Sequence, residues 1–154
     1  MARRKTDILV LGSGIAGLTF AIKTARKFPN RDILVLTKTV EGESNTRYAQ
    51  GGVAAVWDHE KDNFGKHVED TLIAGDGLCK RDIVEIVVQE GPQRVQEIID
   101  WGARFDKEKD STAYDLAREG GHSEHRILHY KDLTGWEIQR ALMEEASRYP
   151  NIRV

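Results

Sequence analysis

The sequence holds one cysteine, Cys79, and only three prolines in 154 residues. A single cysteine excludes an intrachain disulfide and fits a reducing compartment or indifference to redox state. Aromatic residues make up only 7%. Long apolar runs are missing too. The cleanest are Ile8–Leu11 and Ile33–Leu36, far short of the ~18 residues a membrane-spanning helix needs, so no membrane partner is expected. There is no excess of basic charge either: the formal net charge is −2 and the pI is about 6.2. That leaves no electrostatic footprint for nucleic acid. The basic start Met1–Lys5 looks like the opening of a secretion signal, but Gly12-Ser13-Gly14 interrupts the apolar stretch too early. A cytoplasmic protein is expected. What remains is a globular mixture of 40% hydrophobic and 31% charged residues, at the length of one domain.

The first part of the chain reads as strand, helix, strand. Asp7–Leu11 and Asp32–Leu36 are continuous apolar runs bounded by turn residues, the pattern of strands buried on both faces. Between them Leu18, Ala21, Ile22 and Ala25 recur at helical spacing until Phe28-Pro29-Asn30. This predicts an α/β fold with a parallel sheet built from a βαβ unit. A long polar loop, residues 38–52, comes next and ends in the small apolar run Gly51–Val56, which predicts close packing. Helices are then predicted around Val68, Leu72 and Ile73 and around Ile83–Val88. Gly91-Pro92 divides the latter from a further helix carrying Val95, Ile98 and Ile99, with Pro92 as its first residue. Residues 103–133 read as loop or short strand. Thr134 and Glu137 have capping-box spacing ahead of a helix through Ile138, Leu142 and Ala146. A third strand is expected to begin at Asn151, with little room to pair, so the domain is expected to be incomplete at the C-terminus.

Gly12-Ser13-Gly14-Ile15-Ala16-Gly17 stands between the first strand and the first helix. In this Gly-x-Gly-x-x-Gly pattern the first glycine makes a tight turn and the second lets a pyrophosphate approach the backbone. The third lets helix and strand pack closely, and the helix N-terminus offers unpaired N–H groups to the phosphates. Dinucleotide binding follows. An acidic residue is expected ~20 residues on for the ribose hydroxyls, but Lys38 stands there, with Glu41 three residues later. Lysine can donate to ribose oxygens or approach a phosphate; it cannot accept as a carboxylate does.

The run Ser44-Asn45-Thr46-Arg47-Tyr48-Ala49-Gln50-Gly51-Gly52, continuing to Val56, resembles the second flavin-binding segment of the fumarate reductase and succinate dehydrogenase flavoprotein superfamily. Arg118–Ser123, Arg126–His129 and Asp132–Gly135 resemble its aspartate-oxidising branch. The resemblance runs from about residue 7 to the end and also covers the lysine after the second strand. It implies a Rossmann-like FAD-binding domain with a helical insertion, of which residues 1–154 would be the N-terminal part. The neutral side chains of Asn45, Thr46 and Gln50 and the open N–H groups of Gly51 and Gly52 suit a flavin edge. Asn45 stands where the succinate dehydrogenase branch carries a histidine that bonds the flavin, so non-covalent FAD is implied.

The resemblance also implies a reaction: oxidation of L-aspartate to iminoaspartate, with hydride passing from Cα to flavin N5. Oxygen or fumarate is the electron acceptor, and the product goes to quinolinate and NAD synthesis, which links the protein to quinolinate synthase. Glu119 would face the substrate α-ammonium through a charge-assisted contact, with His122 and Ser123 nearby. The acid–base arginine of the superfamily is expected beyond Val154, so no catalytic residue is expected here, and the isolated chain is expected to be inactive. The alternatives are a fumarate- or succinate-specific flavoprotein and a non-catalytic nucleotide-binding module. The spacing of His125 and His129 permits a metal site on a helix, but with no cysteine partner and no HExxH arrangement none is expected. Cys79 reads as a packing residue. Trp57, Trp101 and Trp136 read as core or edge, and Glu108–Asp110 as a solvated face.

Overall fold

A computed structural model describes residues 5–40 and 42–154. Glu41 and the first four residues lie outside them, so the readings placed on Glu41 and on the basic start have no structural counterpart. Three parallel strands form the first sheet, in the order β1 (Ile8–Leu11), β2 (Ile33–Leu36), β6 (Ile152–Arg153). Helix α1 (Ile15–Lys27) connects β1 to β2 and buries Leu18, Ala21, Ile22 and Ala25, the four positions its periodicity marks. Helix α4 (Thr134–Ser147) packs beside α1. A second, antiparallel sheet of β3 (Val53–Ala54), β5 (Ile127–Leu128) and β4 (Leu116–Ala117) adjoins them. Helices α2 (Phe64–Ala74) and α3 (Arg81–Asp100) pack on each other through Val68, Val84 and Val88. The main core gathers Leu18, Ile22, Val95, Ile98, Trp101, Phe105, Leu128, Ile138 and Leu142.

Five expectations need correction. The strands of the first sheet are buried on one face, not both: Ile8, Val10, Ile33 and Val35 pack inward, whereas Leu9, Leu11 and Leu36 are exposed. Helix α1 covers only the inward face. The third strand does pair, two residues with β2. Arg153 adds an ion pair to Asp32, and the Asn151 side chain donates to the Arg31 carbonyl. Pro92 starts no helix. It lies inside the 20-residue α3, where its missing N–H forfeits a bond to Val88. Packing holds the helix on both sides of it, with Val84 and Val88 against α2 and Val95 and Ile98 in the core. Thr134 is the first residue of α4 rather than its cap, and Leu133 is the N-cap. The Thr134 hydroxyl instead donates to Gly51 O at 2.7 Å and accepts from Tyr130 N–H, while Glu137 bonds Arg104 N–H and Arg140. Ile73, marked as apolar face, is exposed on α2.

Cys79 packs with the α2–α3 cluster. Trp101 is in the core, Trp57 packs against its edge, and Trp136 is exposed. Residues 108–110 are exposed. Among the described residues no helix is long and apolar enough to cross a membrane.

Candidate functional site

The glycine turn leaves β1 and enters α1. Gly12 takes φ +103°, a backbone conformation that a Cβ disfavours, and its N–H donates to Leu36 O at the end of β2. Gly17, in the first turn of α1, lies so close to the turn that a Cβ there would stand 2.0 Å from Gly12 O. The helix therefore comes down onto the strand only because this position has no side chain. The first α-helical bond is Leu18 N–H to Gly14 O, which leaves the Ala16 and Gly17 N–H groups without partners inside the helix. Ile15 N–H donates to Thr46 Oγ1 at 3.0 Å. No acidic side chain occupies the first turn, so the positive end of the helix dipole is uncompensated. Ser13 is buried, and its hydroxyl has no partner.

These residues line a cleft of about 850 Å³. All six residues from Gly12 to Gly17 border it, with Lys38 at the end of β2 and Ser44, Asn45, Thr46 and Tyr48 on the opposite wall. The structure thus brings the turn, the lysine and the start of the polar loop to one place. Glu43 lines the cleft as well, and its carboxylate accepts from Tyr48 Oη–H. That carboxylate went unmarked in the sequence. Its only signal was an acidic residue soon after the second strand, and Glu41 shares that signal.

The polar loop is partly ordered by its own chemistry. Ser44 caps a short 3₁₀ turn, Asn45–Tyr48. Arg47 and Ala49 are exposed and lie outside the cleft lining, as do Gln50, Gly51 and Gly52. The start of α4 braces this ribbon from behind. Gly135 N–H donates to Ala49 O, and a Cβ on Gly135 would meet Thr46 O at 1.9 Å. Burial of the run ending in Val56 begins only after Gly52, at Val53.

Glu119 lies in the turn after β4. A Cβ at Gly51 would be 2.8 Å from its Oε1, so the carboxylate stands directly against the ribbon. The two share a small recess of about 400 Å³ with Gln50, His129, Lys131 and Asp132. His122 and Ser123 point elsewhere, toward α2. The His122 ring meets His67 edge-on at 6.1 Å, and each ring has an unpartnered Nδ1. Ser123 donates to Asp70 through both N–H and Oγ–H. Beneath them Arg126 is fully buried. It forms a two-bonded pair with Asp62 at 2.7 and 2.8 Å and a contact to Asp70. His125 bonds Leu116 O, and His129 faces Asp106. Among the described residues no three His, Cys, Asp or Glu side chains gather as a metal-ligand set.

A cleft with unpaired helix N–H groups, a free hydroxyl and a lysine fits a diphosphate. Its continuation along neutral Asn45 and Thr46 fits a polar ring edge. Residues 7–154 match the FAD binding domain family.

The chain belongs to the FAD binding domain family.

It is 48% identical over 151 residues to L-aspartate oxidase 2-a, chloroplastic, of Nicotiana tabacum. That match covers 98% of this chain and 23% of the relative. With the L-aspartate oxidase of Yersinia pestis it shares 47% identity over 152 residues, covering 97% of this chain and 28% of the relative. Among solved structures, E. coli quinol fumarate reductase FrdA superposes with a TM-score of 0.90 at 32% identity, covering 99% of this chain and 26% of that one. The chain therefore spans about a quarter of the length of the relatives it matches.

Proposed function

We propose that residues 1–154 act as the N-terminal part of the FAD-binding domain of an L-aspartate oxidase, converting L-aspartate to iminoaspartate. The observation that carries this reading is the placement of Glu119 against Gly51, where the cofactor ribbon meets a recess of mixed charge. An α-amino dicarboxylate carries one ammonium and two carboxylates. Glu119 supplies the anion for the ammonium, and Lys131, on the rim of the same recess, supplies a cation for a carboxylate. A plain dicarboxylate would meet Glu119 as a like charge. The relatives named L-aspartate oxidase support the reading at 47–48% identity.

Bound FAD would supply the hydride acceptor, with oxygen or fumarate taking the electrons onward. In this chain the Gly12–Gly17 turn and Lys38 would hold the diphosphate and ribose, while Asn45, Thr46, Gln50, Gly51 and Gly52 would border the ring. Asn45 has no nucleophilic ring nitrogen, so the coenzyme is held without a covalent bond. His122 and Ser123 would act through the turn that carries Glu119 rather than by touching substrate, since both face α2. The product would feed a quinolinate-forming enzyme, in the cytoplasm.

The test is Glu119→Gln in the full-length polypeptide. Removing the carboxylate that pairs with the ammonium should lower kcat/KM for L-aspartate by roughly 10- to 100-fold, on the scale of a lost charge-assisted hydrogen bond. Fumarate reduction should hold or rise, because the like charge is gone. Equal loss on both substrates would contradict the assignment, and an unchanged aspartate rate would place the ammonium elsewhere.

A further inference from the structure

The two halves of the cofactor cleft come from distant parts of the chain, and one buried side chain touches both. Gln139, on the second turn of α4, is 3% exposed. Its Nε2 donates to the Ser13 carbonyl at 2.9 Å, and its Oε1 accepts from the Ser44 hydroxyl at 2.8 Å. Ser13 is the middle of the glycine turn; Ser44 caps the 3₁₀ turn that opens the ribbon. The only other hydrogen bond between these halves is Ile15 N–H to Thr46 Oγ1, among the described residues. We propose that Gln139 is a positioning residue that fixes the spacing between the glycine turn and the flavin ribbon, and thereby sets the affinity for a ligand long enough to touch both. The proposal rests on the FAD reading of the cleft.

The chemistry of the side chain is specific. One end must donate to a carbonyl while the other accepts from a hydroxyl, at a reach of four bonds from the Cα. A glutamine amide does both without charge. A glutamate of the same length can still accept from Ser44, but its ionised carboxylate faces the Ser13 carbonyl as acceptor against acceptor. Only the protonated form can donate there. A methionine fills the same volume and makes neither bond.

The experiment compares FAD with ADP, which carries the diphosphate but has no flavin ring to lie along the ribbon, on the full chain by fluorescence and calorimetric titration. Gln139→Met should weaken FAD about 10-fold, the scale of two lost buried hydrogen bonds partly compensated, and leave ADP within about twofold. Gln139→Glu should weaken FAD at pH 8 and recover toward wild-type affinity near pH 5, each measured relative to wild type at the same pH. Parallel loss of FAD and ADP in both variants would overturn the proposal, because that pattern marks a general loss of structure. So would unchanged FAD affinity, or a Gln139→Glu defect that ignores pH. If the wild-type chain binds neither ligand, the FAD reading itself fails, and the positioning role with it.

Discussion

Asp70 and His67 lie one turn apart on α2 beneath the 119–123 turn, and both are held in their high-pH forms. Burial would raise the Asp70 carboxyl, but the Ser123 N–H, the Arg126 guanidinium and the Ser123 hydroxyl outweigh it and hold it at about 2, against an ordinary 3.8. Burial, then the Arg126 charge and His122, hold the His67 imidazole below its ordinary 6.5. In both cases the unfolded chain binds protons more readily than the folded one. Each contribution is therefore complete above the ordinary value and is lost as pH falls toward the depressed one. The melting temperature should fall in two stages, the first starting near pH 6.5 and the second near pH 4. His67→Gln should remove the first stage and leave the second, as followed by thermal melts from pH 8 to pH 3. A wild-type melting temperature that stays flat between pH 7 and pH 5 would contradict the His67 assignment. The orphaned Nδ1 of His67 fits this reading, since the ring gains nothing there from a proton it cannot share.

At the scale of elements, β5 is tied to α2 by charge rather than by strand or helix pairing. Arg126, which precedes β5, and Asp62, which precedes α2, have fully buried side chains. Removing one partner of a buried pair leaves the other charge uncompensated, at a cost of about 3–5 kcal/mol. Arg126→Met should reduce unfolding free energy by that amount in a denaturant titration, and adding Asp62→Asn should recover part of it. A loss below ~1 kcal/mol in the single variant would mean that water reaches Asp62. The pair was invisible in the sequence, because nothing local to Arg126 marks an arginine for burial and its partner is 64 residues away. Elements set by short-range pattern were legible: the βαβ unit came from apolar runs and helical spacing, and all four core positions of α1 followed. Elements set by tertiary contact were not. Pro92 is carried inside α3 by packing on both sides, and Thr134 gives up its capping role because it lies inside the helix and its hydroxyl oxygen already accepts from Tyr130 N–H.

For the whole molecule, the sequence separates what is brought together from what is left open. The glycine turn, Lys38, Asn45 and Thr46 line one cleft. The recess that pairs Glu119 with Gly51 joins residues 68 positions apart, a juxtaposition no local spacing encodes. The outer face of the first sheet was misread, because an apolar run does not say whether one face or two will be covered; Leu9, Leu11 and Leu36 remain exposed. The cofactor would sit in the cleft between the turn and the ribbon, and the Glu119 recess depends on it, so the occupancy of that cleft decides the account. The direct measurement is titration of the purified full chain with FAD, following flavin absorbance near the visible maximum and quenching of flavin emission, beside a Gly17→Val control. Saturable binding with yellow protein after gel filtration is predicted for the wild type, and its loss in Gly17→Val, whose side chain would overlap Gly12 O. A colourless wild-type protein with no saturable signal, or a Gly17→Val protein that binds as well, would contradict it.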